Sequence, residues 1–145
     1  MATAIFTPFY CLAADMPNKV HNLASDTLKV FLTAEAPVLT DTVKTDMAEI
    51  ASGNGYTTGG TTISVTSSTQ SSGVYKLVLG DATWTASGGN IAAFRYAVLY
   101  NDTATARTDP VIGYWDYGAS LTVTDGEPLT LDLDGTNGIF TYSVA

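Results

Sequence analysis

The chain has 145 residues, 46% of them apolar and only 14% charged, so it has enough apolar area for one folded domain with a core and is not a disordered composition. Fourteen acidic against six basic residues give a formal net charge of −8, which argues against phosphate-backbone binding to nucleic acid and against an anionic membrane surface. A single cysteine, Cys11, excludes an intrachain disulfide and is expected to be a buried structural thiol made in a reducing cytoplasm.

Residues 1–24 read as an N-terminal arm that packs on a neighbour or on the edge of the domain, with Phe9, Leu12 and Ala13 at helical spacing and Pro17 breaking the turn. The stretch lacks a basic residue before Lys19, and Pro8 interrupts its apolar run, so it does not read as a signal peptide. No apolar run approaches the roughly 18 residues of a membrane-spanning helix. Residues 25–145 are expected to form one β-sandwich domain.

Asp26 to Leu32 alternates as a strand. Residues 41–51 are expected to be the one good helix, capped by Thr40 or Asp41, with Val43, Met47 and Ile50 as its apolar stripe. Gly53 to Gly60 is a glycine-lined loop; no lysine follows at the spacing of a phosphate loop. Ile63 and Val65 start an alternating stretch, Ser67 to Gly73 reads as a polar turn, and Tyr75, Leu77 and Leu79 alternate again. A short strand surrounds Trp84. Ile91 to Tyr100 is apolar on both faces except for Arg95, the pattern of a central strand. A polar loop spans 101–109. Strands follow at Val111 to Tyr117 and Leu121 to Val123, and Leu129 to Leu133 with Ile139 to Val144 read as a closing hairpin around Asp134-Gly135. About eight short strands at roughly ten-residue spacing favour a mostly β, antiparallel sandwich or jelly-roll-like domain.

Chemistry-bearing residues are sparse. His21 is the only histidine and is expected at the surface or a sheet edge. No nucleophile elbow, zinc-protease or paired-cysteine motif is present. Asp125, Glu127, Asp132 and Asp134 are the densest acidic group, read as turn chemistry because their spacing departs from a calcium loop. Arg95 is expected to pair with an acid such as Asp116 or with a neighbouring subunit's carboxylate. Trp84, Trp115 and the tyrosines are read as core or subunit interface, with a sugar platform as the alternative. Asn101-Asp102-Thr103 fits a glycosylation sequon, which has meaning only in a secreted chain. No catalytic residue, metal ligand or cofactor is expected.

Several runs resemble a group of small tailed-bacteriophage virion structural proteins. They are His21-Asn22-Leu23-x-Ser25-Asp26-Thr27-Leu28-Lys29-Val30, Gly53-Asn54-Gly55-Tyr56-Thr57-x-Gly59-Gly60, Tyr75-Lys76-Leu77-x-Leu79, Phe94 to Asn101 and Gly113-Tyr114-Trp115-Asp116-Tyr117-Gly118. The similarity covers about residues 19–140. It implies a non-enzymatic virion protein, most simply a capsid decoration (cement) protein. Such a protein would be a homotrimer on the capsid surface, made in the host cytoplasm and bound between major capsid subunits. The interface expected from this reading includes Phe6, Phe9, Tyr10, Leu12, Arg95 and Trp115. A tail, fibre or neck component, with glycan or host binding, is the alternative.

Overall fold

A computed structural model describes residues 5–144; residues 1–4 of the expected arm lie outside the described residues. The chain is mostly β. In order it forms β1 (Thr7–Pro8), α1 (Leu12–Asp15), β2 (Leu28–Thr33), a 3-10 turn (Lys44–Asp46), β3 (Thr61–Ile63), β4 (Val65–Ser71), β5 (Val74–Leu79), β6 (Ala82–Thr85), β7 (Phe94–Asn101), β8 (Val111–Leu121), β9 (Pro128–Leu131) and β10 (Phe140–Ser143). Three antiparallel sheets result, in the orders β1-β8-β7-β2-β3, β10-β5-β4 and β6-β9.

The five-stranded sheet is apolar on both faces, and both are covered. Along β2, Val30 and Leu32 point into the larger core with Leu77, Leu79, Trp84, Leu99 and Trp115. Phe31, between them, points into a second core with Phe9, Met47, Val98, Tyr100 and Val111. β7, between β8 and β2, is accordingly buried at Phe94 and from Ala97 to Asn101, on both faces.

Several local expectations change. Residues 41–51 are not a helix. Two of their N–H groups are taken by partners outside the segment: Lys44 N–H donates to Asp109 O, and Ile50 N–H to Leu32 O (3.1 Å). The Asp46 carboxylate takes the N–H groups of Thr42 and Val43. Met47 and Ile50 are still buried, but from a near-extended backbone that follows the sheet; the true short helix is α1. Ser67 to Ser71 belongs to β4, an edge strand on which the Ser68 hydroxyl bonds the Tyr75 hydroxyl (2.8 Å) and Thr69 to Ser71 are exposed, and only Ser72-Gly73 turns. The closing hairpin is absent as well. β9 pairs with β6 and β10 with β5, so the Asp134 turn carries the chain from one sheet to another. Asp134 Oδ1 accepts from Thr136 and Asn137 N–H (both 2.8 Å), the turn chemistry expected there.

The glycine-rich loop is shaped by close approach. Gly60 has φ +76°, and a Cβ there would fall on the Val30 carbonyl oxygen. The loop is tied down by Glu49, whose Oε1 accepts from the Tyr56 hydroxyl (2.5 Å) and Gly59 N–H (2.7 Å) and whose Oε2 pairs with Lys44 Nζ (2.5 Å). Tyr56 Oη in turn accepts from Leu32 N–H, and Tyr100 donates to Gly59 O. The most recognisable stretch of the sequence is therefore a clasp on β2.

Candidate binding groove

Residues 5–24 pack on the rest of the domain. β1 pairs with β8, Phe9 N–H donates to Ile112 O, and Tyr10 N–H to Leu39 O. Leu12-Ala13-Ala14-Asp15 are mostly good helix formers and make a single turn; Pro17, with no N–H and a fixed φ, follows its end. This segment forms one wall of an apolar groove of about 760 Å³. Pro8, Phe9 and Tyr10 line it from the β1 side, and Leu12, Ala13, Met16 and Pro17 from α1. Phe140 and Tyr142 of β10 close it opposite. Among the described residues no charged side chain lines it.

An aromatic file joins the groove to the core. Trp115 packs on Phe6 (ring centroids 5.0 Å), Phe6 stacks on Phe140 (6.2 Å), Phe140 meets Tyr75 (5.9 Å), and Tyr75 stacks on Tyr142 (5.2 Å). Exposure rises along this file, from Trp115 at 4% to Tyr142 at 56%.

Behind the groove lies a buried polar cluster. Asp15 is paired with the Arg107 guanidinium and stands 3.7 Å from His21 Nε2. His21 is buried, contrary to the surface position expected. Its Nδ1 lies 3.0 Å from Asn101 Nδ2, which also donates to Asp26 Oδ2 (2.7 Å). Asn101 Oδ1 accepts from Thr103 and Ala104 N–H, which fixes the amide orientation and makes His21 Nδ1 an acceptor. The imidazole is thus neutral with its proton on Nε2, facing Asp15. Burial pulls its pKa down, partly offset by the Asp15 and Asp26 charges. The sequon residue Asn101 is fully buried with its amide occupied.

Among the described residues, His21 Nε2 and Arg107 Nε have no hydrogen-bond partner although both atoms are buried. Cys11 Sγ points at the Asp41 and Val111 carbonyl oxygens. Its thiol is pushed up to about 11 by burial and then by the nearby Asp15 carboxylate, the opposite of an activated nucleophile.

Of the interface residues expected from sequence, Tyr10 is 65% exposed on the groove rim, while Phe9 and Leu12 form its floor and are buried. Phe6 is half-buried against Trp115, and Trp115 is a core residue. Arg95 lies elsewhere, held bidentately by Asp116 within the chain (Nε–Oδ1 2.8 Å, Nη2–Oδ2 3.0 Å). Trp84 is also buried, so neither tryptophan is presented as a sugar platform. Phe140, Tyr142 and Met16 were not anticipated. Alternation in 139–144 did mark Phe140 and Tyr142 as one face of a strand; which wall that face meets depends on the unforeseen β5 pairing.

No protein family, curated protein or solved structure matches the chain.

Proposed function

We propose that the chain is a non-enzymatic virion structural protein of the capsid-decoration type, acting as a homotrimer bound between major capsid subunits. The observation that carries this reading is the apolar groove, a concavity walled by aromatic and aliphatic side chains and lined, among the described residues, by no charged group. Such a surface is suited to binding an apolar partner. The runs resembling phage virion proteins supply the partner class. A shell offers the same docking site many times, so moderate contacts at each site suffice when several are engaged together. Burial of Trp84 and Trp115 disfavours the glycan-binding alternative. The test is add-back of labelled chain to particles made without it. Saturable binding over the whole shell, with a higher temperature of genome release, supports the reading; labelling confined to the tail or one vertex contradicts it.

A further inference from the structure

The groove wall is tied from behind by His21. Met16 and Pro17, which line the groove, lead through Lys19 to His21, whose side chain is fully shielded from water against the end of β7. Lys19 sits at φ +59°, a left-handed backbone that a residue with a Cβ disfavours, so the stretch between α1 and His21 is held rather than relaxed. α1 has an anchor of its own in the Asp15–Arg107 pair.

The tie of His21 tolerates only the neutral ring. Its one proton is on Nε2, 3.7 Å from Asp15 Oδ2, so a second proton can enter only at Nδ1. Nδ1 lies 3.0 Å from Asn101 Nδ2, itself a donor. The Asn101 amide cannot turn over without giving up the Thr103 and Ala104 N–H groups on its oxygen and Asp26 Oδ2 on its nitrogen. Among the described residues three charged groups face the ring: Asp15 from α1, Asp26 from the turn before β2, and Arg107 from the loop after β7. Asp15 and Asp26 favour a charged ring, yet both are already engaged, Asp15 by Arg107 and Asp26 Oδ2 by Asn101 Nδ2 and Asn22 N–H (2.7 Å). Inside the cluster a second proton therefore sets two donors against each other, whereas in water the ring accepts it freely. We infer that His21 is a proton-operated latch on the groove wall: a proton arriving at Nδ1 expels the side chain and frees residues 16–22, with Met16 and Pro17, from the end of β7. The latch belongs to the chain alone and holds whether or not the chain covers a shell.

His21 is the only histidine, so its ring resonances report a single site. The test is NMR on the full chain between about pH 7.5 and about pH 5, following that ring together with amide protection corrected for the intrinsic exchange rate at each pH. A released ring with the ordinary pKa of about 6.5 raises the released population by at most about thirtyfold over this range. The expected result is a fall in protection of about tenfold or more at Val20, whose N–H donates to Asp15 O, and at Thr103 and Ala104, with the β2 amides unchanged. His21→Asn, whose Oδ1 can replace Nδ1 as acceptor and takes up no proton, should show the same protection at both ends of the range. A ring midpoint at or above about 6.5 would show that the folded site accommodates the charge, and would overturn the inference. Unchanged protection at the three amides, or a loss shared equally by β2, overturns it as well, and so does a fall that persists in His21→Asn.

Discussion

Replacing Phe9 by alanine separates a segment that belongs to the domain from an arm that merely rests on it. Phe9 is 2% exposed, packs on Tyr114 at 5.4 Å between ring centroids, and shares the second core with Phe31, Met47, Val98, Tyr100 and Val111. A fully enclosed Phe→Ala change costs about 3–5 kcal/mol. Phe9 also floors the groove, so the space it leaves opens to solvent and the cavity contribution shrinks; about 3 kcal/mol is the figure to expect. For a chain of this length that corresponds to a midpoint lowered by about 10 °C. Tyr10→Ala, one residue on and 65% exposed, should stay within about 0.5 kcal/mol. Urea unfolding followed by the fluorescence of the buried Trp84 and Trp115 reads both variants on one scale. Equal effects from the two substitutions, or a Phe9→Ala cost below about 1 kcal/mol, would refute the claim that residues 5–24 are part of the core.

Other outcomes follow from the clasp and the buried cluster. Gly60→Ala should lose at least about 2 kcal/mol in urea melts, because the residue has φ +76° and its new methyl meets the Val30 carbonyl; a neutral result would mean the loop does not lie on β2. Tyr56→Phe leaves Leu32 N–H without its acceptor and Glu49 short of a donor, for a loss of about 2–3 kcal/mol, whereas an unchanged midpoint would dissolve the clasp. The folded-state pKa of His21 lies below its ordinary value of 6.5, so the unfolded chain takes up a proton first. Stability should therefore be fully present above that value and fall as pH drops below it toward the lowered folded value, a slope that His21→Gln should flatten; persistence of the slope in the variant would assign it elsewhere. Cys11, half-buried rather than buried and with its thiol raised to about 11, should react with iodoacetamide at pH 8 much more slowly in the folded chain than in urea, and equal rates would contradict its setting against the Asp41 and Val111 carbonyls.

What could be read from sequence was what local patterning encodes. The two-faced apolar run of β7 announces a covered central strand, and the one arginine within it needs an acid, which Asp116 of β8, the register partner of the adjacent Tyr96, supplies. The Asp134 turn was equally local. Legibility stopped where partners are distant in sequence. Val43, Met47 and Ile50 satisfy a helical stripe, yet the 41–51 backbone is claimed by Asp109 and Leu32, which helix periodicity cannot register. A turn at 134–138 says that the chain bends, not which sheet receives it, and β10 pairs with β5 rather than β9. The groove depends on that pairing and on β1 pairing with β8, and its apolar walls are dispersed among positions 8–17 and 140–142. The burial of His21 is hidden for a similar reason: its partner Asn101 ends β7, 80 residues on, and Arg107, which pairs with the neighbouring Asp15, follows in the next loop.

The central claim is that this chain covers a shell. The most direct measurement is its copy number per purified particle, by quantitative mass spectrometry against the major capsid protein. The account predicts a ratio near one-to-one, or one trimer for every few capsid subunits. A handful of copies per particle would contradict it and move the protein to the tail, the neck or a fibre.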